Sequence, residues 1–187
     1  MGLRAGPITW LALLRGINVG GKRKVPMRDL ARVFADSGFD RVETYIQSGN
    51  VIFTAAPGTP VPSNGRIEVQ IEKRFGFPVP VVLRNKEQLD RAISQNPFAE
   101  EGADEDTLHV LFLSDLPSAD RVPNLDNRRS LPDTFSVIGQ EVYLRLPNGV
   151  ARTKLTNAYF DATLETVGTM RNWRTVTRLQ ALMDAFP

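Results

Sequence analysis

An α+β protein of two ferredoxin-like subdomains, each of β-α-β-β-α-β type and related by an internal duplication, is predicted by three observations. Short apolar runs of strand length alternate with stretches whose apolar residues recur at helical spacing. Across residues 8–84 these elements fall in the order β-α-β-β-α-β, and a looser version of the same order follows. The 187 residues are 42% hydrophobic and 24% charged, with 14 glycines and 13 prolines, which suits a globular chain and excludes disorder, collagen-like repeats and coiled coil.

Each element has a local reason. Ile8–Leu14 is short, apolar and closed by Gly16, the pattern of a buried strand. A polar glycine-rich loop runs from Arg15 to Lys24. Pro26 then opens a helix that sets Met27, Leu30, Val33 and Phe34 on one face and ends at Gly38. The runs 43–47 and 51–54 flank Ser48-Gly49-Asn50 as a hairpin, with a glycine free to take positive φ. A loop over 55–65 precedes a helix capped by Ser63 or Asn64, carrying Ile67, Ile71 and Phe75 and stopped by Gly76. Residues 79–84 complete the first subdomain, set at 1–84.

The second subdomain, 85–187, opens on a helix over 85–93 with an Asn85/Gln88 capping box. An acidic loop follows, then a strand at 108–113 and a polar stretch at 117–131 with one helix. A hairpin around Gly139-Gln140 joins 135–138 to 141–146, and two helices, at 157–164 and 172–185, close the chain.

Composition narrows the chemistry. The chain has no cysteine, which excludes disulfides, thiolate metal sites and cysteine nucleophiles, and its one histidine excludes multi-histidine metal sites. Neither a metal nor a cofactor is expected. No apolar run approaches the roughly 20 residues that span a bilayer, and no signal-peptide pattern opens the chain. The expectation is a cytoplasmic protein without a membrane partner. The net charge of +2 conceals a pattern. Residues 1–90 hold 13 Lys and Arg against 8 Asp and Glu, 91–144 hold 4 against 10, and 145–187 hold 6 against 3. The basic ends point to an anionic partner.

Gly16-Ile17-Asn18-Val19-Gly20-Gly21-Lys22 matches G-x-x-x-x-G-K after a strand. Arg23 nevertheless occupies the place of the magnesium-binding hydroxyl, and the helix starts only near Pro26, so a nucleotide-hydrolysing P-loop is disfavoured. A broader reading survives, in which Arg15, Asn18, Lys22 and Lys24 gather donors beside glycines that would suit a phosphate or carboxylate. Gln47, Ser48 and Asn50 stand at the hairpin tip. Two further polar clusters, Arg152–Asn157 with Lys154 and Asn157, and Thr169–Arg174 with Arg171, Asn172 and Trp173, fall at expected helix starts. Capping explains their Thr and Asn residues, while a cation at a helix N-terminus opposes the dipole unless an anion is bound.

The bland readings carry weight elsewhere. His109 reads as a strand residue facing solvent or held by a hydrogen bond, and Trp10 and Trp173 as core. No aromatic pattern of an RNA-reading sheet is present, so a nucleic-acid partner is disfavoured.

Three segments together resemble a known family. They are Ala12–Gly21, then Lys24-Val25-Pro26-Met27 with Leu30, then Thr44–Phe53. The segments 154–157 and 169–176 look like its C-terminal blocks. The family is the bacterial one catalogued as domain of unknown function 1697. The resemblance implies two ferredoxin-like subdomains and carries no activity, cofactor or catalytic residue.

The functional expectation is therefore an anionic small molecule, phosphorylated or nucleotide-like, bound in a basic cleft between the subdomains. The alternatives are a metal-independent enzyme in the same cleft with Lys22, Lys24 or Lys154 as acid, base or nucleophile, a nucleic-acid-binding module, and an interaction protein with no ligand.

Overall fold

The computed structural model describes residues 6–57 and 62–186. Two four-stranded antiparallel sheets and, among the described residues, six α-helices make a mixed α+β structure. It divides into two compact units: one runs to Leu89 and is rejoined by the chain from Ala181 on, and the other is Asp90–Gln180.

The first unit contains β1 (Ile8–Leu14), α1 (Met27–Asp36), β2 (Asp40–Tyr45), β3 (Asn50–Ala55), α2 (Asn64–Phe75) and β4 (Val81–Asn85). Its sheet order is β2-β3-β1-β4. β1 is central because both of its faces are apolar, and Leu11 to Leu14 are all buried. Alternation sends Trp10, Ala12 and Leu14 to the helix-covered face, where they join Val51, Phe53, Leu30, Phe34, Ile67 and Ile71. Phe34, Phe39 and Phe53 stack there, with ring centroids 4.5–6.2 Å apart. Pro26 stands just ahead of α1 and Gly76 ends α2 at φ +80°. Ser63 occupies the N-cap of α2 without a side-chain bond, and part of the loop expected over 55–65 lies outside the described residues.

The chain passes through α3 (Lys86–Ser94) into the second unit. The capping box forms as expected: Gln88 N–H donates to Asn85 Oδ1 and Asn85 N–H to Gln88 Oε1, both at 2.8 Å. The second unit continues with α4 (Pro97–Glu100), β5 (Leu108–Leu113), β6 (Thr134–Ile138), β7 (Glu141–Arg145), α5 (Asn157–Leu164), β8 (Gly168–Asn172) and α6 (Trp173–Asp184), which crosses back into the first. Its sheet order is β6-β7-β5-β8. Leu111, Leu113, Val142, Leu144, Phe160 and Leu164 form its core beneath α5.

Three local readings need correction. The acidic segment is not a bare loop: Asn96 caps α4 through its side chain, and Asp104 caps a short 3-10 turn over Glu105–Thr107. The polar stretch at 117–131 forms one 3-10 turn, Val122–Asn124, where a helix was expected. The largest correction is β8. Thr169, Met170, Arg171 and Asn172 are not a helix start but a strand paired with β5, and α6 begins one residue later. The polar letters of this strand imitate a capping segment. Gly168 opens it because a Cβ there would sit 2.8 Å from Leu111 Cδ1.

The same registers recur in both units. Leu14 N–H donates to the Gly49 carbonyl at 2.8 Å, and Leu113 N–H to the Gln140 carbonyl at 2.9 Å. Leu11 pairs with Ile52 and Arg84, as Val110 pairs with Tyr143 and Arg171. Both arginines are buried, and each donates from Nη1 to the carbonyl just before it, Leu83 at 2.8 Å and Met170 at 2.9 Å. Asn85 and Asn172 then cap the helices that follow, each accepting at 2.8 Å from the N–H three residues on.

Candidate functional site

The antiparallel pairing of β1 with β3 fixes where the first candidate residues meet. Leu13 lies opposite Asn50, so the loop leaving β1 and the turn entering β3 emerge together. The loop is conformationally demanding: Gly16, Asn18, Gly20, Gly21 and Arg23 all have positive φ, as do Ile46 and Gly49 in the turn.

Asn18 holds the two segments together. Its Nδ2 donates to the Val25 carbonyl at 3.0 Å and to the Gln47 carbonyl at 2.9 Å, while its Oδ1 accepts from Val25 N–H at 2.9 Å. A side chain spending both donors and an acceptor on backbone is an architectural clamp. Asn50 has a similar part: it is wholly buried, and its Nδ2 donates to the Tyr45 carbonyl at 3.1 Å and to Ser48 Oγ at 2.9 Å. Ile17 and Val25 turn into the core at either side of the clamp. The loop between them is thus anchored, and Lys22, Arg23 and Lys24 project from it exposed. Among the described residues none of these three has a carboxylate within ion-pair distance. Arg15 is half-buried at the foot of the loop and Gln47 exposed at the turn.

In the second unit the segment 152–156 is pinned against 126–133. Lys154 N–H donates to Ser130 Oγ at 2.9 Å, and the Lys154 carbonyl accepts from Arg129 Nε at 3.1 Å. The Arg129 guanidinium lies 4.1 Å from the Tyr159 ring centroid, a cation–π geometry, and the Tyr159 hydroxyl accepts from Asp126 N–H at 2.7 Å. Thr156 caps α5 by accepting from Tyr159 N–H, and Asn157 is the first helical residue, half-buried. Arg128, Arg129, Arg152 and Lys154 therefore gather, all exposed, before this helix. Arg128 and Arg129 escaped sequence reasoning because they lie in the featureless stretch 117–131; the doubled cation itself was the available signal.

The last group divides by burial. Arg171 is 8% exposed on β8, donating also to Thr169 Oγ1 at 2.9 Å. Burial pushes its guanidinium pKa down to about 10. Asn172 is the cap of α6, and Trp173 is buried core, as is Trp10. Arg174 is paired with Asp106 at 2.8 Å, which ties the acidic segment to the start of α6. Lys22, Lys24 and Lys154 are all exposed.

His109 is 8% exposed on β5, with Nδ1 3.4 Å from the Thr107 carbonyl. It does not face solvent. Burial holds its pKa below the usual 6.5 and outweighs that carbonyl. The unfolded chain therefore takes up a proton that the folded chain resists. Stability contributed by neutral His109 is complete above pH 6.5 and is lost as pH falls from there toward the lower folded value. Urea midpoints between pH 7.5 and 5 should fall for the natural chain and stay flatter for His109→Gln; parallel profiles would show that His109 is not the group responsible.

Among the described residues no three His, Cys, Asp or Glu stand close enough to hold a metal ion, and no helix is long and apolar enough to cross a membrane. An open groove of about 430 Å³ lies between α1 and β2, lined by Ala31, Ala35, Phe39 and Val42 with charged neighbours; no candidate residue lines it.

A family model described as a protein of unknown function, DUF1697, matches residues 8–143. The match spans the loop and the hairpin and stops short of the C-terminal blocks. A conserved bacterial protein, SP0830 of Streptococcus pneumoniae, is similar in structure, with a TM-score of 0.70 and 22% identity over 95% of this chain and 99% of that one. At that identity the likeness is one of fold. No curated protein matches the chain.

Proposed function

The chain belongs to the family described as a protein of unknown function, DUF1697, and within it we propose that this chain binds an anionic, phosphorylated or nucleotide-like small molecule through a cationic loop. One observation carries this reading. Lys22, Arg23 and Lys24 stand exposed and without carboxylate partners, among the described residues, on a loop that Asn18 locks to the neighbouring turn. Three successive cations on one anchored loop concentrate a positive potential that favours an anion there. Backbone N–H groups of a loop with successive left-handed residues add to the field an anion meets. Arg128, Arg129, Arg152 and Lys154 are a second candidate surface, in the other unit. The strand orders and the repeated registers support reading each unit as ferredoxin-like and the pair as a duplication.

Inorganic pyrophosphate, titrated by calorimetry at low ionic strength, tests the loop. The double variant Lys22→Glu, Lys24→Glu should lose at least tenfold in affinity, and Arg152→Glu should match the natural chain. Equal affinity in all three would move the site off the loop. Binding should weaken as salt rises from 20 to 200 mM, because the cations are exposed.

A further inference from the structure

The two units close the same hairpin differently. In the second, Ile138 pairs with Glu141, and Gly139 and Gln140 alone connect them. In the first, Tyr45 pairs with Asn50, and four residues, Ile46 to Gly49, intervene. Two-residue connections are the common solution, so strand pairing does not require the longer turn. That turn is also strained. Ile46 is held at φ +47°, a region that a β-branched residue seldom enters. Ile46 is 49% exposed, so burial in a core does not compensate the strain.

A second apolar side chain stands out of the facing loop: Val19 is 68% exposed. The bond from Asn18 Nδ2 to the Gln47 carbonyl joins the two segments at 2.9 Å, and Val19 and Ile46 are the immediate neighbours of the two bonded residues. Lys22 closes back on the same place, its N–H donating to the Val19 carbonyl at 3.1 Å. Two exposed apolar groups and a run of three cations therefore share one rigid loop pair.

Building on the anion reading above, we infer that the ligand of this loop is a nucleotide, with its phosphates on Lys22, Arg23 and Lys24 and one face of its base against Val19 and Ile46. A bare phosphate or a sugar phosphate leaves both apolar side chains in water and gives the strained turn no use. A lipid tail demands a longer apolar surface than two side chains supply. A base offers a flat, weakly hydrated face of about the right extent beside its own phosphates.

Calorimetry on the full chain with ADP and with inorganic pyrophosphate separates the possibilities. Ile46→Asn removes the apolar contact while keeping a residue that adopts positive φ readily, so the fold is retained. ADP should bind the natural chain about tenfold more tightly than pyrophosphate, and Ile46→Asn should abolish that difference by weakening ADP alone. Equal affinities in the natural chain, or an Ile46→Asn variant that keeps its preference for ADP, would overturn the nucleotide assignment and leave the anion reading standing. Failure of both ligands to bind would overturn both.

Discussion

Gly49→Ala should lower the free energy of unfolding by roughly 3 kcal/mol, two effects adding. Gly49 has φ +79°, where a residue with a Cβ is disfavoured by roughly 1–2 kcal/mol. A Cβ at this place would also sit 2.7 Å from Leu14 Cβ and 2.9 Å from Ile17 Cδ1. Leu14 Cβ is tied to the central strand, whose N–H donates to the Gly49 carbonyl itself, so the overlap cannot be relieved by turning a flexible side-chain end. Overpacking of that kind typically costs roughly 1–3 kcal/mol more. In a chain of this length the thermal midpoint should drop by about 10 °C. Gly20→Ala is the control: φ is +58° but nothing lies within 4 Å of the added carbon, so only the conformational part should appear. Equal losses at the two glycines would show that the contact with Leu14 contributes nothing.

Asn18→Ala should cost roughly 2–4 kcal/mol, because it strands several backbone groups at once. Val25 N–H and the Val25 carbonyl, at a buried residue, lose their partner, and so does the Gln47 carbonyl. Alanine also tolerates φ +56° less well than asparagine. Asn18→Asp keeps the acceptor for Val25 N–H and loses both donors, so its loss should fall between the natural chain and alanine. Hydrogen exchange locates the effect: Val25 N–H should lose protection in Asn18→Ala and retain it in Asn18→Asp. Pyrophosphate affinity should fall in Asn18→Ala as the cationic loop loses its anchor. Unchanged affinity with a destabilised loop would separate the clamp from binding.

Periodicity made most of the fold legible. β1, α1, α2 and the hairpin at Gly139-Gln140 have clear apolar spacing, and the Asn85/Gln88 box is a local rule obeyed locally. β8 was not legible. Thr169, Met170, Arg171 and Asn172 contain no apolar alternation, and pairing with β5 rather than their own propensity makes them a strand. The same pairing buries Arg171, which the letters present as a surface cation. At the candidate site, the types of residue were readable and their division of labour was not. Asn18 and Asn50 read as ligand donors, yet Asn18 bonds backbone and Asn50 bonds the Tyr45 carbonyl and Ser48 Oγ, while Ile46 and Val19 carried no polar signal and are the exposed apolar groups of the loop pair.

Anion binding by the loop from Arg15 to Lys24 is tested by a titration of the 15N-labelled chain with inorganic pyrophosphate, followed through the backbone amides. Saturable shifts should concentrate at residues 20–24 and at Gln47, reverse with added salt, and vanish in Lys22→Glu, Lys24→Glu. Shifts absent from that loop, or spread evenly over surface cations such as Arg66 and Arg178, would contradict it.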